Sequence, residues 1–199
     1  MKRRQRLSSA ERREQLSGAT VAVLAARGFR GATAEEIARQ AGVAKGLLWH
    51  HFDDLDDLFA FTARRALDVL STAAAALIDL HAPSPEVIRA AVRAATSLRR
   101  THSAERRAIR EILYNLRDAD GEPRLTQADL EGLYAAQEAI FRRGQDSGHF
   151  RTDLEARLLA VTYQGAVDSM LGYLDTHPHL NEEVFADTVA EILLGGIAR

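Results

Sequence analysis

The chain contains no cysteine. That excludes a disulfide framework and thiolate metal ligation. No apolar run is long and clean enough to span a membrane. The longest candidate, Leu158 to Leu174, contains Gln164 and Asp168 and reads as a buried helix. The basic start, MKRRQRLSSAERREQ, is not followed by the apolar core of a signal peptide. A cytoplasmic protein with no membrane partner is expected. Strand-like alternation, internal repeats, low-complexity tracts and long linkers are missing. No phosphate-cradling glycine loop or nucleophile motif occurs. His177 and His179 lie near each other in a loop without a supporting carboxylate or cysteine cluster, and read as solvent-exposed residues rather than metal ligands. Neither a metal nor a cofactor is expected, and an enzymatic role is not.

What is present is helical periodicity. At 199 residues the chain can bury a sound core as one unit or two small ones. Long Ala/Leu/Arg/Glu-rich segments separated by turn signals predict an all-α fold of about nine helices. Ser8 and Glu11 are placed to cap the first, which runs to about Arg27. The second and third lie between Thr33 and Phe52. The fourth runs from about Asp54 to Leu80. Ser84-Pro85 starts the fifth, Ser103 the sixth, Thr126 and Asp129 the seventh. Thr152 with Glu155 forms a capping box for the eighth, and Asn181 caps the ninth. The two parts of the chain are expected to share the fourth helix.

Charge is unevenly distributed behind a net value of −2. Residues 1–52 carry ten Lys/Arg and four Asp/Glu, net +6, and the remainder is net −8. A basic head on an acidic body suits a protein whose first quarter meets phosphate. Lys2, Arg3, Arg4 and Arg6 read either as a solvated tail or as an arm along the DNA backbone or in the minor groove.

The stretch TAEEIARQAGVAKGLLWHHF, Thr33 to Phe52, carries most of the functional argument. Thr33 and Glu36 form a capping box. Ile37, Ala38 and Ala41 fall on one face. Gly42 stands where the helix must stop in a left-handed conformation. Ala38 leaves room for a second helix, about Ala44 to His51, to cross closely, with Val43 and Leu48 as apolar contacts. That is the arrangement of a helix-turn-helix. An ordinary helical hairpin is the competing reading.

The flanks tip the balance. Ala25-Ala26-Arg27-Gly28-Phe29, Thr33, Glu36-Ile37-Ala38, Ala41-Gly42-Val43, Lys45-Gly46, Leu48-Trp49-His50-His51-Phe52 and Leu58 together resemble the TetR family of bacterial transcriptional regulators. The resemblance implies a basic arm over 1–7, a DNA-binding domain over 8–54 with its helix-turn-helix at about 33–52, and a ligand-binding and dimerisation domain over 55–199. It implies a double-stranded operator as partner, read by Arg3, Arg4, Thr33, Ala44, Lys45, Gly46, Leu47, Trp49, His50 and His51. Thr33 and the amides behind it form a phosphate site at a helix N-terminus. Lys45 can reach a phosphate or a guanine edge. Gly46 lets the backbone come close. Ala44 and Leu47 suit a thymine methyl. Trp49 donates only, and His50 and His51 add phosphate contacts, one of which is open to packing on the fourth helix instead. Two departures stand out. Leu47 replaces a common polar residue, and Leu55 replaces a Lys that usually touches phosphate. Asp53, Asp54, Asp56 and Asp57 surround Leu55; acids suit a helix start but repel phosphate.

In the body, Leu113, Tyr114, Leu116, Tyr134, Gln137, Phe141, Tyr163, Gln164 and Met170 are candidates for a small-molecule effector pocket, which the resemblance implies; plain core is the alternative. The eighth helix is apolar nearly all round and must be covered on both sides. Burial within the monomer is one way to do so. The resemblance implies the other, a four-helix bundle between two copies through Leu158, Val161, Gly165, Gly172, Phe185, Val189 and Ile192. A homodimer would read a near-palindromic operator, with repression released by the effector as the default implied by the family. Two alternatives remain. One is a small-molecule-binding helical protein with a degenerate head. The other is an all-α metal-dependent enzyme, motivated only by the histidines.

Overall fold

The computed structural model describes residues 7–125 and 127–199. Among them are eight α-helices: α1 (Ser9–Gly31), α2 (Ala34–Ala41), α3 (Leu55–Ala75), α4 (Ser84–Thr101), α5 (Ser103–Asn115), α6 (Glu131–Asp146), α7 (Ala156–Thr176) and α8 (Glu182–Ile197). Two 3₁₀ helices, Lys45–His50 and Gln127–Leu130, complete the set. Extended structure among the described residues is limited to two isolated bridges, Arg117 to Pro123 and Phe150 to Ala198. The all-α expectation holds.

Packing divides the chain into two compact units. One is Met1–Leu70 with Ser103–Thr126, the other Ser71–His102 with Gln127–Arg199. This is not the linear division at residue 54. The first part of α3 and the whole of α5 belong with the helix-turn-helix, because their apolar faces complete its core. α3 runs continuously through the point where the first unit gives way to the second.

The first unit is built on local signals. At the start of α1, Ser8 Oγ accepts from the Glu11 N–H at 3.2 Å while Glu11 Oε2 accepts from the Ser8 N–H at 2.7 Å. This is the expected capping box, two free amides satisfied reciprocally. Gly28 breaks α1 with φ +68°, a left-handed conformation that suits glycine. The next amide, Phe29 N–H, donates to Glu111 Oε2 of α5 at 3.0 Å. Leu16, Leu24, Ile37, Leu48 and Leu58 are fully buried, joined by Leu116 and Leu125 from the far end of α5 and the loop beyond it. Each such side chain contributes about 1.5–3 kcal/mol of apolar burial.

The second unit is held by α4 against α8 and α6 against α7. Along α4, Arg89 pairs with Glu191 at 2.8 Å, Arg93 with Asp187 at 2.7 Å and Arg99 with Glu182 at 3.0 Å. The register is antiparallel, the later arginine meeting the earlier acid. The first two pairs are exposed and specify alignment more than they stabilise, whereas Arg99 and Glu182 are largely buried. At the end of α6 the backbone amides of His149 and Phe150 both donate to the Gly144 carbonyl, at 2.9 and 3.0 Å. The Phe150 ring occupies the space a side chain at Gly144 would need: a Cβ there would lie 2.1 Å from the ring.

Several expected boundaries move. The fourth helix, α3, ends at Ala75 rather than Leu80. The α7 capping box of Thr152 and Glu155 does not form; Glu155 itself precedes the first helical residue and makes no side-chain cap. The seventh helix begins only at Glu131, after a 3₁₀ turn, and Thr126 lies outside the described residues. Asn181 caps α8 as expected, accepting from Glu183 and Val184 N–H at 3.0 and 3.1 Å.

Candidate nucleic-acid interface

Helix α2 opens with Thr33, whose Oγ1 accepts from the Glu36 N–H at 3.3 Å. The reciprocal half of the expected capping box is absent. The Glu36 carboxylate turns instead to Arg39 at 2.6 Å and Arg27 at 3.2 Å, and the Arg39 hydrogen bond, first, holds its carboxyl below the usual range. Gly42 ends the helix with φ +67° and ψ +37°, the left-handed stop its position predicts. The chain then turns into Lys45–His50. This segment is a 3₁₀ helix, not the α-helix expected over Ala44–His51. With six residues and no side-chain cap, it is too short to gain from the wider α-helical ladder, and the tighter turn satisfies its amides instead.

One side chain sets this segment's orientation. Leu48 is fully buried in the first core, so its neighbours face outward. Ala44, Lys45, Gly46, Trp49 and His50 are exposed, and Leu47 and His51 are half-buried. Eight of the ten expected DNA-contacting residues therefore fall on Thr33 and one short stretch, six of them well exposed. The other two, Arg3 and Arg4, lie outside the described residues. The His51 ring Nδ1 lies 3.3 Å from Ser9 Oγ of α1.

Helix α1 braces both ends of the pair, which sequence reasoning missed. Gln15 Nε2 donates to the Ala41 carbonyl at 2.9 Å, just before the turn. Arg13 donates to the His51 carbonyl, and its guanidinium lies over Phe52 and Phe61 at 4.2 and 4.4 Å from the ring centres. A cation held between two rings and a carbonyl is a rigid fixture. The signal was thin: an arginine four residues into a helix looks like any solvated charge.

Beside the recognition segment lies an open groove whose lining includes Thr33, Glu35, Lys45, Trp49, Leu55 and Asp56. Within it, Lys45 Nζ is paired with Glu35. That hydrogen bond, foremost, holds the Glu35 carboxyl below its usual range. The single lysine of the described chain thus has a protein partner to leave before it can meet phosphate. The acids near Leu55 serve α3. Asp54 Oδ1 accepts from the Asp57 N–H at 2.7 Å, and Asp57 Oδ2 accepts from the Asp53 N–H at 3.3 Å.

Residues 17–60 match the family model for bacterial regulatory proteins of the tetR family. The chain belongs to the TetR family. It is similar to the transcriptional activator FasR of Mycolicibacterium smegmatis, 28% identical over 99% of this chain and 88% of that protein. It is also similar to the repressor KstR2 of Mycobacterium tuberculosis, 26% identical over 94% of both chains. The solved structure of KstR2 shares the fold with a TM-score of 0.65, covering 98% of this chain and 97% of that one. Likeness to PksA of Bacillus subtilis is higher, 43%, but spans only 27% of this chain and 26% of that regulator's length. All are transcriptional regulators, not enzymes. The protein is a helix-turn-helix transcriptional regulator.

The other candidate residues divide between the two units. Leu116 is buried and Leu113 half-buried in the first core, because α5 packs on α1, and Tyr114 is 72% exposed. These three serve the DNA-binding unit or face solvent, a correction to their expected place in an effector pocket. The remaining six lie together on α6 and α7. Phe141 and Tyr163 meet edge to face at 6.1 Å beside Met170, and Arg157 lies over the buried Tyr134 at 4.9 Å. Gln137 Nε2 donates to Gln164 Oε1 at 2.7 Å, and Gln164 Nε2 to Asp168 Oδ1 at 2.9 Å. Gln137 Oε1 is buried without a hydrogen-bond partner. Burial, first, and the Asp168 charge push the Tyr163 phenol well up.

Of the interface candidates, Leu158, Val161 and Ile192 are 60%, 41% and 70% exposed. Gly165 and Gly172 are exposed too, and a Cβ on either would meet nothing within 4 Å. They do not serve close helix approach within the chain. Phe185 and Val189 are half-buried against the second core. His177 stacks on Tyr173 at 3.9 Å, and His179 lies 6.0 Å away. Among the described residues no group of three metal-ligating side chains occurs, and no helix is long and apolar enough to cross a membrane.

Proposed function

We propose that the protein is a homodimeric, ligand-responsive repressor acting in the bacterial cytoplasm on a near-palindromic operator. The observation that carries this reading is the uncovered face of α7 and α8. Leu158, Val161 and Ile192 stand exposed beside glycines that leave open space. Aliphatic side chains largely exposed among the described residues, at helical spacing, fit an isologous helix-on-helix contact. Two copies joined there would present two Lys45–His50 segments to successive major grooves. Repression finds support in KstR2, and FasR, an activator, opposes it.

The effector site would lie among Tyr134, Gln137, Phe141, Tyr163, Gln164 and Met170. An apolar body with one hydrogen-bond donor fits this lining, the donor satisfying Gln137 Oε1. Such a ligand shifts DNA occupancy only by binding the released state better than the bound one.

Selection from a random duplex library, followed by titration at several salt concentrations, tests the reading. A two-fold-symmetric motif with a steep salt slope is expected. The variant Ile192→Glu should be monomeric by light scattering, keep its helical spectrum and lose operator affinity at nanomolar protein. A dimer that survives both Ile192→Glu and Leu158→Glu would overturn the interface, and selection yielding no motif would overturn the operator.

A further inference from the structure

Leu55 and the acids around it leave the groove edge beside Lys45 and Trp49 negative, which is unfavourable next to phosphate. The structure brings a cation to that edge from about seventy residues away. The loop after α5 returns to the first unit: Leu116 and Leu125, 1% and 5% exposed, are both in its core. Between them the loop is tied to itself. The Arg124 N–H donates to the Leu116 carbonyl at 3.2 Å and the Asp118 N–H to the Glu122 carbonyl at 2.9 Å. Asp118 Oδ1 accepts from the Asp120 and Glu122 amides, both at 2.9 Å. This holds Arg124 where its Nη1 lies 3.1 Å from Asp56 Oδ2 and 4.0 Å from Asp54 Oδ1. Asp56 lines the same groove as Thr33, Lys45 and Trp49.

We propose that Arg124, far outside the helix-turn-helix in sequence, is an affinity-determining residue of the DNA interface: it masks Asp54 and Asp56 so that a phosphate can approach the start of α3. The carboxylates stay because α3 needs them; Asp54 caps its first turn. The masking group therefore comes from elsewhere. Arg124 acts through charge at the groove edge and not through base contact, so it changes affinity for all duplexes alike.

The inference rests on the DNA-binding reading, and the test separates the two. Binding of full-length protein to its selected duplex and to a random duplex is measured by anisotropy from low to high salt. Arg124→Ala should weaken both by about fivefold at low salt, the loss shrinking as salt is raised. Arg124→Lys should retain most of the affinity. Arg124→Ala with Asp56→Asn restores the net charge of the cluster and should recover most of the loss. Thermal unfolding of each variant confirms that the loop still docks. Wild-type affinity in Arg124→Ala at every salt would overturn the proposal. A loss that neither Lys nor Asp56→Asn relieves would assign the loop a purely structural role and overturn it too. Rescue by Lys but not by Asp56→Asn would overturn masking in favour of direct phosphate contact. If the wild type binds no selected duplex, the DNA-binding reading itself falls.

Discussion

Leu48 and Ile192 are both aliphatic residues on helical segments, and their surroundings are opposite. Leu48 is 0% exposed, at the centre of the DNA-binding unit's core; Ile192 is 70% exposed on the outer face of α8. Leu48 shares its core with the fully buried Leu16, Leu24, Ile37 and Leu58, while Lys45, Trp49 and His50 of the same segment are exposed. Leu158 and Val161 of α7 are likewise largely exposed, at 60% and 41%, and among the described residues a Cβ on Gly165 or Gly172 would meet nothing within 4 Å. The first region is a finished surface that projects a short segment outward. The second is an exposed apolar face. The same chemical character thus has two settings, one fixing where the Lys45–His50 segment points, the other exposed and, on the dimeric reading proposed above, offered to a second copy.

Truncating both residues gives the largest contrast. Leu48→Ala removes a fully buried side chain and should cost about 2–5 kcal/mol of unfolding free energy, with loss of specific DNA binding. Ile192→Ala should leave unfolding nearly unchanged when the chain is dilute, and lower the midpoint only where wild-type dimer would form. Urea unfolding at two protein concentrations separates them: the Leu48→Ala loss is independent of concentration, the Ile192→Ala loss is not. Equal behaviour of the two variants would erase the distinction between core and interface.

A second contrast lies within the body. Gly144→Ala places a Cβ against the Phe150 ring and should destabilise the second unit by about 1–3 kcal/mol. Gly165→Ala, on the exposed face of α7, places a Cβ with no neighbour within 4 Å among the described residues beyond its own helix. In a helix interior it should stabilise the monomer by up to about 1 kcal/mol, and weaken self-association if a second chain approaches there. Thermal unfolding and sedimentation of the two variants measure both halves.

These contrasts also explain what was legible in the sequence. The Ser8–Glu11 box, the Gly42 stop and the Asn181 cap are contacts within a few residues, and each is where the residue types predict it. The second short helix lies where it was expected, over Lys45–His50, but it is a 3₁₀ helix rather than an α-helix, its short length mattering more than its composition. The failures are long-range. Glu111 satisfying Phe29, Arg13 between Phe52 and Phe61, and Leu116 and Leu125 serving the first core all depend on pairings across tens of residues. Periodicity marks a face as apolar without saying which unit it enters. For that reason Leu113 and Leu116 looked like pocket residues, and the division at residue 54 separated helices that pack together.

The smallest expected effect tests how far local contacts hold the DNA-binding unit. The hydrogen bonds from the Ser8 backbone amide, first, and from its hydroxyl lower the Glu11 carboxyl below its usual value. A depressed carboxylate contributes stability that is present above its unfolded-state pKa and lost as pH falls through the folded one. The cap should therefore be intact at neutral pH and released only below the ordinary glutamate range. Ser8→Ala removes the hydroxyl at every pH and should cost about 1 kcal/mol. It should also flatten the acid limb of the stability profile, since Glu11 then loses one of its two partners. Hydrogen exchange at the first α1 amides, followed from neutral to acid pH in both proteins, reads this directly. His51 sits against Ser9 of the same turn, so fraying there loosens one support of the recognition segment. A wild-type profile as flat as that of Ser8→Ala would mean that α1 is held by the buried Leu16 and Leu24 alone, and that the cap is incidental to how the segment is presented.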